Sequence, residues 1–287
     1  MSTLTAICRV IIVVLDGLRP DAIDAFDLSN IREMARRGAW TMSARTVSPS
    51  CTWPAMTSLV SGVPPETHGI LKDSLHVPRP KTPLDPLPRL LSRAGYPSTV
   101  FLRTLPALYR GTGRVIARRL GFAEAHFAGA TAEEVTMTAS KNLRGQERGL
   151  IVIHWADADD AGESHGWMTP EYGAACRQLD SAIGLLMKLT SCASDPRTLV
   201  IALADHGGGG VTHNDHCEEH HLNWTIPLIL SGGSVRQTRL EEAHLVDVPA
   251  TVAWALGVTP PPAYAGRVLI EAIGSASEQI TEAVAVA

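Results

Sequence analysis

The sequence predicts an α/β layered domain with a largely parallel central sheet and helices on both faces. Three observations carry this expectation. Four apolar runs bounded by turn residues, "VIIVVLD" (10–16), "STVFL" (98–102), "GLIVIHW" (149–155) and "TLVIALAD" (198–205), lack polar alternation, as strands of a sheet covered on both sides do. Helix-like segments lie between the runs, the alternation that builds parallel sheets. At 287 residues and 45% hydrophobic, the chain can bury one large core, so 1–287 is read as a single domain.

The first run lies within "AICRVIIVVLDG", which has no cleavage site and passes directly into Asp16, and no apolar stretch approaches the ~20 residues of a membrane span. The reading is a soluble, unexported, cytoplasmic protein without a membrane partner. "LSNIREMARRGA" (28–39) and "LPRLLSRAG" (87–95) read as helices, and "PEYGAACRQLDSAIGLLMKL" (170–189) repeats its apolar residues at helical intervals. "HVPRPKTPLDPLP" (76–88), with five prolines, reads as an extended connector, and 275–287 as an appended helix or frayed end.

A formal charge of −4 and 5% aromatic residues give neither a basic stripe nor a stacking platform, which argues against nucleic acid polymers. The five cysteines, Cys8, Cys51, Cys176, Cys192 and Cys217, are odd in number and scattered, so reduced thiols are expected. No feature reports the oligomeric state.

Polar residues gather where three of the runs end: Asp16, then Asp157, Asp159 and Asp160, then Asp205 with His206. Ligands of open α/β sheets bind outside the carboxyl ends of the strands. "LADHGGGGVTHNDHCEEHH" (203–221) adds five of the eleven histidines, which by composition alone reads equally as a metal site or a polar loop. In "SPSCTWPAMTSLVSGVPPETHGI" (48–70), Thr52 precedes a helix-like stretch and Pro54 suits its first turn. Thr52 therefore reads as an N-cap, and equally as a hydroxyl at a helix N-terminus, where phosphate is readily bound.

"VVLDGLRPD", "TWPAMTSLVSGVPPETHGI", "DDAGESHGWMTPEY", "ADHGGGGVTH" and "HLVDVPATVAWALGVTPP", in that order, resemble the alkaline phosphatase superfamily, and in particular its type I phosphodiesterase/nucleotide pyrophosphatase branch. The resemblance spans most of the chain and implies an alkaline-phosphatase-like fold and two divalent metal ions, zinc or manganese. It places the second ion on Asp16, Thr52, Asp205 and His206, with Thr52 also the nucleophile, and the first ion on Asp159 and His213. The family's D-x-x-G-H motif puts Glu163 where a histidine is usual. Glu163 ligates through oxygen and would lean the site toward manganese. His165, two residues on, and His216 or His220 in the 216–221 stretch, otherwise a solvated rim, are the alternatives for completing that site.

The implied activity is a metal-dependent phosphoric ester hydrolase, most closely a phosphodiesterase, acting on a small phosphorylated substrate through a phosphothreonine on Thr52. Phosphonate or phosphomonoester hydrolysis, and a non-catalytic relative that binds a phosphorylated ligand, are the other readings. Met56 stands where sulfatases carry an arginine, and Cys51 is out of register as a nucleophile. Ala55 stands where the branch usually has an asparagine amide, so Lys72 or a backbone amide after Thr52 would have to replace that donor. His68, Gly69 and Asp73 sit at the family's H-G-I-x-x-N and are expected to shape the pocket floor. Arg19, Arg45, Arg103 and Arg110 are cations that could fold inward, and without one of them a monoanionic diester suits the site better than a dianionic monoester.

Overall fold

The apolar runs become adjacent strands because each has side chains to bury on both faces. The computed structural model describes residues 7–73, 80–192, 194–232 and 234–273. Its strands are β1 (Arg9–Leu15), β2 (Ala39–Arg45), β3 (Ser98–Leu102), β4 (Glu124–Phe127), β5 (Gly149–Trp155), β6 (Thr198–Leu203), β7 (Thr225–Ser231) and β8 (Thr238–Arg239), joined in one sheet in the order β4-β3-β5-β1-β6-β7-β2-β8. Every residue of β1, β5 and β6 is buried. Successive side chains point to opposite faces, so unbroken burial means that both faces are covered.

The pairs β4–β3, β3–β5, β5–β1 and β1–β6 are parallel, and β7 runs against both β6 and β2. The fold is thus the layered α/β domain expected, with a largely parallel sheet. The four strands read from the sequence are β1, β3, β5 and β6. The other four escaped that reading: β2 alternates buried and exposed residues, β4 and β8 are short, and β7 carries Pro227.

The anticipated helices form at Ser29–Arg36, Leu87–Arg93 and Pro170–Thr190. The longest starts where Thr169 Oγ1 accepts the Tyr172 amide at 3.3 Å and Pro170 occupies the first turn. Residues 80–86 of the proline-rich connector form neither helix nor strand, while 76–79 and the tail 275–287 lie outside the described residues. No helix among the described residues is long and apolar enough to cross a membrane.

At the amino end of β1, buried Arg9 gathers the surrounding elements. Its Nε donates to Thr198 Oγ1 at 2.9 Å, its Nη1 to the carbonyls of Leu143 and Gln146 at 3.0 and 3.1 Å, and its Nη2 to Thr190 O at 3.1 Å. At the carboxyl end the in-register partners Val14, His154 and Leu203 bring the exits of β1, β5 and β6 side by side. Gly17 makes the first exit tight. It adopts φ +70°, and a β-carbon there would stand 2.8 Å from Asp159 Cα.

One expectation is overturned here. Cys51 and Cys217 form a disulfide across 166 residues, with Cα atoms 5.0 Å apart, so these two are not reduced thiols. Proximity in the fold pairs them, and no sequence spacing signals it.

Candidate active site

Three neighbouring strand exits supply the centre of the site. Asp16 follows β1, Asp159 lies in the helix Asp157–His165 that follows β5, and Asp205 with His206 follows β6. All four are buried, Asp205 and His206 completely. His206 Nε2 lies 3.2 Å from Asp16 Oδ1, 3.7 Å from Asp205 Oδ2 and 4.0 Å from Asp159 Oδ1. Its Nδ1 donates to Gly207 O at 2.8 Å, which fixes the ring with Nε2 turned toward the carboxylates.

Thr52 reaches this centre through His206. It is the first residue of the helix Thr52–Ser61, with Cys51 in the cap position, so the reading of Thr52 as an N-cap does not hold. Its Oγ1 stands 3.1 Å from His206 Nε2. The amides that follow are engaged: Trp53 N–H donates to Asp73 Oδ1 at 2.7 Å, Pro54 has none, and Ala55 N–H donates to Cys51 O at 3.0 Å. No amide after Thr52 in this turn stands in for the missing asparagine, and Lys72 is exposed. His68 is wholly buried, its Nε2 3.0 Å from Ser58 Oγ, and serves packing.

Two histidines complete the centre, one of them unanticipated. His154, the only polar side chain in the apolar run of β5, places its Nε2 3.0 Å from Asp16 Oδ2. A buried histidine at the carboxyl end of an otherwise apolar strand was the signal available in the sequence. His216 is buried, and its ring stacks on that of His206 with centroids 3.8 Å apart. Its Nδ1 donates to Ser50 O at 2.9 Å, while Nε2 faces Glu163 Oε1 at 3.4 Å and Asp159 Oδ1 at 3.8 Å. Glu163 lies one helical turn beyond Asp159 on the same face, half exposed at 56%.

The structure leaves His213, His165 and His220 outside this centre. His213 is exposed and packs its ring where a side chain on Gly166 would sit, while its carbonyl accepts the Trp167 amide at 3.1 Å. His165 is exposed at the end of its helix. His220 caps the short helix His221–Trp224, its Nδ1 accepting Leu222 N–H at 3.2 Å. Gly208 and Gly209 bring the backbone close to Trp167, whose indole fills the position a β-carbon on Gly208 would take and whose Nε1 donates to Gly17 O at 2.9 Å.

The four arginines considered as inward cations are committed elsewhere. Arg19 pairs with Asp21 and donates to Gly208 O, Arg45 lies over the Trp224 ring, Arg103 pairs with Asp160, and Arg110 donates to Leu105 O.

Burial and mutual repulsion set the charge state of the carboxylates. Burial, then the neighbouring Asp16, push the Asp205 carboxyl up to about 7. The same two causes, in the same order, hold Asp159 well above the usual carboxylate range. Burial would also raise Asp16, but His154 and His206 overcome it and hold Asp16 well below that range. Burial would lower His206, yet Asp205 and Asp16 raise it well above an ordinary histidine.

The donor set fits cations. Asp16 Oδ1, Asp159 Oδ1, Asp205 Oδ2 and His154 Nε2 are buried without an aligned hydrogen-bond partner, an arrangement that costs free energy unless something positive completes it. Among the described residues three groups have ligand atoms mutually within 4.8 Å; one is Cys51, Asp73 and Cys217, whose sulfurs are joined to each other, and the two at this centre are Asp16, His154 and Asp205, and Asp159, His206 and His216. Imidazole nitrogens mixed with carboxylate oxygens suit zinc or manganese.

Comparison with known proteins agrees with this chemistry. Residues 10–85 match the type I phosphodiesterase / nucleotide pyrophosphatase family, and residues 125–260 match the metalloenzyme superfamily. Over 144 residues the chain is 24% identical to a 2,3-bisphosphoglycerate-independent phosphoglycerate mutase of Legionella pneumophila (strain Lens), a match covering 49% of this chain and 27% of the mutase. The chain thus spans about a quarter of the length of that curated relative.

In three dimensions it is similar to murine ectonucleotide pyrophosphatase / phosphodiesterase 5, solved as an inactive form in complex with AMP, with TM-score 0.71 and 15% identity over 88% of this chain and 96% of the other. A protein in the alkaline phosphatase superfamily from Vibrio parahaemolyticus gives TM-score 0.72 and 15% identity over 92% and 70% of the two chains. These two likenesses are of fold. With the family matches, they bear out the resemblance to the alkaline phosphatase superfamily and its type I phosphodiesterase branch.

Proposed function

We propose that this chain, with its alkaline phosphatase superfamily fold, is a metal-dependent phosphoric ester hydrolase that cleaves phosphodiesters of small molecules through a phosphothreonine on Thr52. The observation that carries the reading is Thr52 Oγ1, 3.1 Å from His206 Nε2, at the first turn of a helix and facing buried carboxylate oxygens that lack donors. Asp16, Thr52, Asp205 and His206 hold the second cation, with His154 against Asp16. Asp159, Glu163 and His216 hold the first, so His216 takes the place that sequence alignment gave to His213. Two divalent ions bound there supply Lewis acidity that activates the hydroxyl and balances phosphoryl charge.

The chain's own residues do the rest. The helix N-terminus orients the anionic phosphoryl group, and the Thr52 amide, which has no intrahelical acceptor, is the donor that replaces the family's asparagine. Thr52 Oγ1 attacks phosphorus, the bond from phosphorus to one ester oxygen breaks, and that oxygen departs as the alcohol carrying the proton that Thr52 gives up. Water then attacks the phosphothreonine, so the P–Oγ1 bond breaks and the hydroxyl regains a proton. With Arg19, Arg45, Arg103 and Arg110 engaged elsewhere, a monoanionic diester is the substrate class the site balances best.

The test is turnover of bis(p-nitrophenyl) phosphate with manganese or zinc. The intact chain hydrolyses it, and Thr52→Ala lowers kcat by about 10⁴-fold or more. Absence of turnover by the intact chain, or an active Thr52→Ala protein, would sink the reading.

A further inference from the structure

Cys51 immediately precedes Thr52, and Cys217 immediately follows His216. Their disulfide therefore joins the shoulder of the nucleophile to the shoulder of a histidine facing Asp159 and Glu163. Hydrogen bonds run beside it in both directions: Ser50 Oγ donates to His216 O at 2.6 Å and His216 Nδ1 donates to Ser50 O at 2.9 Å. Around the link His213, Asn214, Glu218 and Glu219 are exposed, and Cys217 N–H donates to Asp215 Oδ1 within the segment itself. Cys51 is buried and Cys217 only partly so, which leaves Cys217 as the sulfur that a small thiol or disulfide can approach.

We propose that Cys51–Cys217 is a reversible positioning link of the active site. Closed, it holds His216 in the first cation position next to Thr52. Opened, it releases the loop and with it that position. Asp16, Asp205 and His206 keep their places because they leave the sheet directly from β1 and β6. The link closes by thiol–disulfide exchange with a small disulfide such as glutathione disulfide. One protein thiolate attacks to give a mixed disulfide, the second displaces the remaining small thiol, and two small thiols carry away the protons and the electron pair. Two small thiols reverse it. The inference rests on the two-cation reading above and adds that one of the two positions is under thiol control.

The test uses the full chain, stripped of metal and titrated calorimetrically with manganese, an ion that prefers oxygen and nitrogen to sulfur. The oxidised chain is compared with one reduced by a water-soluble phosphine, which becomes its phosphine oxide while water supplies the oxygen and both thiol protons. The oxidised chain takes two ions. The reduced chain keeps one and binds the other at least tenfold more weakly, glutathione disulfide restores both, and the Cys51→Ser/Cys217→Ser double variant matches the reduced chain under either condition. His216→Ala in the oxidised chain loses the same ion, and reduction then changes nothing further.

Circular dichroism of the reduced chain separates loss of one site from loss of the fold. Two ions bound equally well before and after reduction overturn the inference alone, as does equal loss of both. Fewer than two ions in the oxidised chain overturn the two-cation reading and this inference together.

Discussion

The two halves of the site are built on different foundations. Asp16 and Asp205 leave the sheet within one residue or two of hydrogen-bonded strands, and His154 lies inside one, so main-chain ladders fix all three. Asp159, Glu163 and His216 sit on a short helix and a glycine-flanked loop, and their mutual placement depends on side-chain contacts and one disulfide. The first half is a property of the sheet. The second is assembled around it, and its outer member is half exposed.

On that contrast, Asp205→Asn should have the largest consequence of four substitutions. It exchanges a fully buried carboxylate of the sheet-borne set for a neutral amide, and turnover of an activated diester should fall by more than roughly 100-fold, with one ion lost by elemental analysis. A wild-type rate and metal content would dissolve the distinction between the halves. His216→Ala should lower kcat roughly 30–100-fold and lose the other ion, whereas His213→Ala should change kcat less than about threefold. The reverse ranking would return the first cation to the alignment-derived residue. His154→Gln keeps a polar group beside Asp16 but not the imidazole, and should weaken the second ion roughly tenfold while leaving the first unchanged. Loss of both ions in that variant would mean that the halves are not separable.

The same contrast explains what the sequence disclosed. β1, β3, β5 and β6 were legible as apolar runs, and the carboxylates at three of their ends as candidate ligands, because a strand delivers the residue after it to a fixed place. Thr52 was legible through its motif. His216 was legible only as one alternative beside His165 and His220, because alignment by spacing follows the chain, and nothing in "VTHNDHC" states that the loop turns His213 outward and His216 inward. Glu163 was named as a departure from the motif, yet only the fold shows it beside His216. His154 lay in plain sight within β5 and passed as a strand residue. The Cys51–Cys217 link, spanning 166 residues, has no local signature at all.

Arg9 gives the molecule a second pole. Seven residues before Asp16, this guanidinium neutralises nothing in the candidate site. It serves as a hub for carbonyls from the ends of two helices and for the Thr198 hydroxyl at the start of a neighbouring strand. The two ends of β1 are thus specialised for opposite tasks, architecture at one and chemistry at the other. Such a layout is modular: loops at the carboxyl edge are free to be lengthened, reshaped or exchanged, because the junction that organises the scaffold lies a full strand length away.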